Sequence, residues 1–303
     1  MNIASRWPLA AACGYNRRMS LHLLDTSDHD RDAAGLKYVY PVISRRAGGV
    51  SVGINLNTNN ACNWRCVYCQ VPGLVRGVAP EIDLDLLETE LRGFLDEVVN
   101  GGFMQGRVPE DCRRLCDIAI SGNGEPTSCA QFDKVVQRIV SVMDEMKLSP
   151  DVKLRLITNG SYLHRDHVQV GIKAMAAHNG EVWAKVDAAT EAGVQRTNGV
   201  RLYLERMCAQ IEIVAGLCPT WIQTCLFAYD GTGPEEAERQ AYLDFLEGLI
   251  NGGTKLEGVL LYGLARPSMQ PEFIDQLSSF PESEMTAFAD RIRKLGLEVR
   301  VSI

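Results

Sequence analysis

The chain of 303 residues is 46% hydrophobic and has a formal net charge of −7, from 38 acidic and 31 basic side chains. That length and apolar content suit one large core, and the acidic balance argues against broad, non-specific adhesion to nucleic acid. No apolar run approaches the roughly 20 residues a membrane helix needs, and ten cysteines without a secretion signal fit a reducing, cytoplasmic compartment, where they act as metal ligands or core residues rather than disulfides.

Residues 1–47 read as an N-terminal extension, partly disordered. Its first 24 residues hold several arginines and no acid; Trp7–Cys13 is too short an apolar run for a signal peptide, and Met19 is a second candidate start. The doublets Arg17–Arg18 and Arg45–Arg46 read as solvated surface, and His29, among the aspartates of Asp25–Asp32, as part of a solvated linker rather than a metal site. From Gly49 to Asn57, Val50, Val52, Ile54 and Leu56 alternate with small or polar residues, the period of a strand. Strand-then-loop units follow at Ile118–Thr127, Leu154–Ser161 and Val182–Thr190, and further strands at Thr220–Ala228, Gly258–Gly263 and Glu298–Ser302. Leu84, Leu87, Leu91, Leu95 and Val98 mark one helical face, with Asp83 as cap and Gly101–Gly102 as stop. Similar faces predict helices at Gln131–Met146, His167–Ala177, Val200–Val214, Glu235–Ile250 and Glu282–Leu295.

Six alternations of strand and helix require parallel neighbours joined by crossovers, and the handedness of those crossovers curls the sheet. The expected architecture over residues 48–303 is α/β, a partial (β/α)6 TIM-like barrel of parallel strands with outer helices. In such barrels the chemistry sits at the C-terminal ends of the strands.

The stretch Asn59–Pro72 follows the first of these strands and contains Cys62, Cys66 and Cys69 in a C-x3-C-x2-C spacing. Three thiolates on one short loop can point at a single metal centre. Structural zinc takes four protein ligands, and no fourth Cys or His lies nearby. An iron–sulfur cubane has four irons, so three cysteines leave one iron open to a substrate or cofactor.

With the sequence Gly122-Asn123-Gly124-Glu125-Pro126-Thr127 after the second strand, the chain resembles the radical S-adenosylmethionine (radical SAM) enzymes from about residue 48 to its end. Within that superfamily it is most similar to the iron–sulfur oxidoreductases that include the wyosine-base-forming tRNA enzymes, through Lys185–Thr190 (KVDAAT) and Leu261–Pro267 (LYGLARP). The resemblance implies a [4Fe-4S] cluster on Cys62, Cys66 and Cys69, whose open iron is chelated by the amine and carboxylate of S-adenosyl-L-methionine. Reductive cleavage would then give a 5′-deoxyadenosyl radical that abstracts hydrogen from a substrate, whether small molecule, peptide or tRNA. It also implies an electron donor such as flavodoxin or ferredoxin.

On the same resemblance, Gly122, Asn123, Gly124, Glu125 and Pro126 bind the cofactor, with Asn123 where the family has glycine. The glycines let backbone approach it closely, and Glu125 accepts from its ammonium; a solvent-exposed turn is the rival reading. Tyr68 stands against the adenine or is a core tyrosine. Thr158 and Asn159 flank the ribose or the carboxylate, or form an ordinary Asn-Gly turn. Lys185 and Asp187 alternate on the fourth strand and are the catalytic candidates, because an inward Lys–Asp pair is costly without a polar ligand. Asn198 and Arg266 match positions of the narrower group, and Gln223 on the fifth strand lines the mouth.

Cys112 and Cys116, four apart, could hold a second cluster with Cys129, or all three are buried thiols of an ordinary core. Two rival functions are a wyosine-type tRNA modification and a non-catalytic zinc or iron–sulfur module. The second would have no use for Glu125 and its glycines.

Overall fold

The computed structural model describes residues 23–24, 34–44 and 48–303. Trp7–Cys13, Arg17–Arg18, Met19, His29 and Arg45–Arg46 lie outside them. One sheet dominates. Its strands run in chain order across it: β1 (Val39–Ser44), β2 (Gly49–Ile54), β3 (Leu115–Ile120), β4 (Lys153–Thr158), β5 (Gly180–Lys185), β6 (Thr220–Tyr229), β7 (Gly258–Gly263) and β8 (Glu298–Ser302). From β2 to β8 every neighbouring pair is parallel. Helices α1 (Leu84–Val99), α2 (Phe132–Glu145), α3 (Asp166–Ala176), α4 (Glu191–Asn198), α5 (Leu204–Ala215), α6 (Glu236–Asn251) and α7 (Glu282–Arg293) fill the six crossovers. β1 and β8 are the edges and do not pair with each other, so the barrel is partial, as the alternation predicts. No helix among the described residues is long and apolar enough to cross a membrane.

Period-two alternation sorts each strand into an outer and an inner set. Val50, Val52, Ile54, Ile118, Ile120, Leu154, Leu156 and Val182 face outward and pack with Leu87, Leu91, Phe94, Leu95, Val135 and Ile139 of the helices in one fully buried core. The alternate residues, Ser51, Gly53, Asp117, Ala119, Arg155, Ile157, Trp183 and Lys185, line a cavity inside the curl. The fold therefore converts a simple alternation into an apolar outer layer and a polar, accessible interior.

Two elements depart from expectation. The stretch 1–47, read as an extension, contributes β1, which pairs antiparallel with β2. Its sequence VYPVIS has no alternation, and Pro41 is tolerated because β1 is an edge. Glu90 of α1, itself buried, accepts from the backbone N–H groups of Lys37 and Tyr38 at 2.8 Å each and fixes the entry to β1. The helix expected from Val200 starts instead at Leu204, and a separate turn of chain, α4, precedes it. Thr190 caps α4 by accepting from Gly193 N–H at 2.9 Å, and Gly199 ends it at a φ of +64°.

Candidate active site

The cysteine loop leaves the C-terminal end of β2 and is pinned from three sides. Its own turn closes through Cys69 N–H to Cys66 C=O, 3.0 Å. From α4, the carbonyls of Asn198 and Thr197 accept from Arg65 N–H (3.0 Å) and Val67 N–H (2.9 Å). From the segment after β7, Ser268 Oγ donates to Val67 C=O at 2.6 Å, Gln270 Nε2 to Val71 C=O at 2.9 Å, and Met269 N–H to Cys69 C=O at 2.9 Å. Gln70 returns a bond to the carbonyl of Arg266 at 3.0 Å. Ser268 and Gln270 are buried, and sequence reading missed both; only their place just after the LYGLARP segment pointed to them.

Cys62, Cys66 and Cys69 line one cavity of about 320 Å³ together with Tyr68, Gly122, Gly124, Glu125, Thr158, Asn159, Lys185, Gln223 and Arg266. Burial pushes the Cys62 thiol up to about 12 and raises Cys66 as well. Two N–H donors nevertheless point at these sulfurs: Trp64 N–H at 3.4 Å from Cys62 Sγ and Asn198 Nδ2 at 3.3 Å from Cys66 Sγ. Donors aimed at buried sulfur suit a ligated thiolate better than a neutral thiol. Cys62, Cys66 and Cys69 are three thiols, one short of the four protein ligands that structural zinc takes. A cubane takes one cysteine on each of three irons and leaves the fourth open, and three thiols of one loop facing one cavity supply that donor set. The residues present fit a [4Fe-4S] cluster.

Glu125 enters the same space from the loop after β3 and is 2% exposed. Its Oε1 accepts from Thr127 N–H (3.0 Å), Thr127 Oγ1 (2.5 Å) and Thr158 Oγ1 (2.6 Å), and Oε2 from Asn159 N–H (2.6 Å). Burial raises its carboxyl above the usual range, partly offset by those donors. The bonds leave one free acceptor position on Oε2, whereas Oε1 is saturated. This is a built carboxylate tying the ends of β3 and β4 together, not a solvated turn. Asn123 and Pro126 are not on the cavity surface; Asn123 instead bonds Asn60 Oδ1 at 2.7 Å and Asn55 Oδ1 at 3.0 Å. The glycines serve packing as much as access. A Cβ on Gly124 would lie 2.1 Å from the Ala61 carbonyl, so only glycine lets this loop close on the stem of the cysteine loop.

Asp187 follows β5, and its side chain is fully buried. It accepts from the Tyr68 hydroxyl, from Asn198 Nδ2 at 2.7 Å and from Cys225 N–H at 3.0 Å, and Lys185 Nζ stands 3.7 Å away. Lys185 also donates to the Tyr262 hydroxyl at 2.8 Å and lies 5.0 Å from the centre of the Tyr68 ring. Burial works most strongly against its charge, but Asp187, joined by Tyr262, Cys66 and Cys225, raises the lysine above its ordinary value, so it stays protonated. Tyr68 is both wall and core: it lines the cavity and its ring packs 5.6 Å from that of Phe227. Tyr262, unpredicted, shares a face with Leu260 and alternates with Leu261 on a strand that was predicted, and that parity was the available signal.

The second cluster is not assembled. Cys116 lies near the start of β3 and Cys129 past its far end, so one strand length separates them, and Cys129 is completely buried in the outer core. Spacing in sequence does not survive a strand that runs between the residues.

No family model matches the chain. A segment of 132 residues, 43% of the chain, is 26% identical to the GTPase Obg of Brachyspira hyodysenteriae, and it spans only 16% of that protein. Among solved structures, Streptococcus suis SuiB bound to S-adenosylmethionine superposes with a TM-score of 0.54 at 12% identity, over 85% of this chain and 51% of SuiB. SuiB bound to its precursor peptide SuiA gives 0.54 at 12%, over 84% and 49%. A radical SAM methyltransferase from Sphaerobacter thermophilus gives 0.54 at 15%, over 87% and 68%. The chain thus spans about half the length of SuiB. It shares the fold of these solved structures, among them a radical SAM methyltransferase.

Proposed function

We propose that this chain is a radical SAM enzyme, with Cys62, Cys66 and Cys69 holding a [4Fe-4S] cluster and the cavity beside them taking S-adenosyl-L-methionine. Held there, a cluster reduced by an external one-electron donor would supply, with S-adenosylmethionine, the radical chemistry for hydrogen abstraction. One observation supports the reading above all: three thiols of one loop and the buried carboxylate of a neighbouring strand end face a single cavity at the C-terminal mouth of the barrel.

The chain's own residues have separable tasks. Glu125 offers the open position on Oε2, a buried carboxylate oxygen with one donor, to an ammonium. Asn159 and Thr158 hold that carboxylate in place. Lys185, kept protonated by Asp187, acts as a fixed cation and hydrogen-bond donor rather than as a base. Asp187 is its counter-ion and orients Tyr68 and Asn198. Trp64, Tyr68, Tyr262 and Leu264 give the cavity apolar walls that keep water from a reactive radical.

The test is anaerobic incubation with S-adenosylmethionine and a strong one-electron reductant, with flavodoxin or ferredoxin as the physiological alternative. Deoxyadenosine is expected from the wild-type chain and not from Cys66→Ala. Equal amounts from the two would end the proposal.

A further inference from the structure

The cavity extends below the proposed cofactor site to a second polar group that the reaction above does not use. At its floor, the inner residues at the start of β3, β4 and β5 are Asp117, Arg155 and Glu181, exposed by only 1%, 9% and 5%. Arg155 donates through Nη1 to Asp117 Oδ2 and through Nε to Glu181 Oε1 at 2.5 Å. Glu181 Oε1 also accepts from Trp183 Nε1 at 2.9 Å, Ser51 Oγ donates to Asp117 Oδ1, and Lys153 Nζ lies 3.7 Å from Glu181 Oε2. Both carboxylates are therefore satisfied. Arg155 is not: its Nη2 has no acceptor among the described residues, and Arg155 lines the cavity.

A buried ion triad is a weak source of stability, since desolvation offsets the attraction. A guanidinium held rigidly between two carboxylates, with one edge left open, is instead a preorganised hydrogen-bond donor. Its charge is already used. Arg155 and Lys153 balance Asp117 and Glu181, so a ligand carboxylate would bring an unmatched negative charge into a closed space, and a ligand ammonium would meet Arg155 edge-on. What remains unmet is a neutral acceptor. The walls above the floor are Ile157, Ala119, Gly53 and the rings of Tyr40 and Trp183, the last 4.9 Å from the guanidinium carbon. These surfaces suit a flat, uncharged group. Arg155 lies four residues before Asn159 on β4, about 13 Å at strand rise, which leaves room for a small molecule between floor and cofactor site.

We infer that the floor of the barrel, through Arg155, is the substrate-anchoring end of the cavity, and that it takes the neutral carbonyl oxygen of a flat apolar group such as a carboxamide or ring amide. The inference rests on the proposed function only for the word substrate; the binding site stands on its own geometry. Three probes of one shape test it on the full chain by ligand-observed NMR: benzamide, benzoate and benzylamine. Benzamide is expected to bind at least fivefold more tightly than either ion, about 1 kcal/mol. Arg155→Lys is expected to erase that preference. Ala119→Leu, which fills the space above the floor without touching the triad, is expected to weaken all binding severalfold, and it serves should Arg155→Lys not fold. Preference for benzoate or benzylamine, binding of none of the three, or an unaffected Ala119→Leu chain would each overturn the inference. Benzamide binding by a chain that makes no deoxyadenosine would leave the floor site standing and remove the proposed reaction; the reverse pattern would do the opposite.

Discussion

Asp187→Asn tests whether Asp187 is the counter-ion that makes a buried Lys185 tolerable. The Asp187 side chain is fully buried, and that of Lys185 is 16% exposed. The aspartate accepts from three donors besides the lysine: the Tyr68 hydroxyl, Asn198 Nδ2 and Cys225 N–H. An asparagine presents an NH2 to a site built of donors whichever way it turns, and it strands the ammonium of Lys185. Removing one partner of a buried pair costs about 3–5 kcal/mol. Lys185→Met leaves Asp187 with its three donors and is expected to cost less, about 1–3 kcal/mol. In the double variant neither charge is stranded, so its loss should fall short of the sum of the single losses by about 1–3 kcal/mol. Urea denaturation of the cluster-free chain under anaerobic conditions measures all three. A cost for Asp187→Asn below about 1 kcal/mol, or strictly additive losses, would refute the pairing.

Further consequences follow from the same geometry. Lys185 is raised in the folded chain, so its contribution is fully present below the ordinary lysine value and is lost only as pH rises through the folded one; the difference in stability between wild type and Lys185→Met should therefore be flat from pH 6 to 9. Asn198→Ala removes an N–H donor from Cys66 Sγ. Such donors favour the more negative, reduced cluster, and spectroelectrochemical titration should give a lower midpoint potential. Gly124→Ala drives a Cβ to 2.1 Å from the Ala61 carbonyl, with an expected cost of about 1–3 kcal/mol in denaturant melts and a loss of S-adenosylmethionine binding by calorimetry. Ser268→Ala strands the Val67 carbonyl and should destabilise the chain by about 1 kcal/mol, with slower reconstitution of iron and sulfide.

What could be read in the sequence was whatever has a local period or a fixed spacing. The alternation of Val50, Val52 and Ile54 identified β2, and the helical face at Leu87, Leu91 and Leu95 identified α1, so the parallel barrel followed from repetition of those patterns. Lys185 and Asp187 emerged as a pair from the same reasoning. β1 was hidden because Pro41 and the neighbouring apolar residues mask its pairing, which depends on β2, not on its own sequence. α4 was hidden by its shortness and by Gly193 within it. Ser268, Gln270 and Tyr262 act across about 80 to 200 positions of sequence, a relation that no local pattern encodes. The triad of Asp117, Arg155 and Glu181 is visible only once three strands lie side by side. Cys112, Cys116 and Cys129 show the converse: proximity in sequence suggested a shared centre, and the length of β3 separates Cys129 from the other two.

The central claim is an iron left open beside Cys62, Cys66 and Cys69, and electron paramagnetic resonance of the reduced, reconstituted chain tests it most directly. About four irons per chain are expected, with a reduced-cluster signal whose shape changes on addition of S-adenosylmethionine and no such signal in Cys66→Ala. A cluster signal indifferent to S-adenosylmethionine, or a chain that takes up one zinc and no iron, would contradict it.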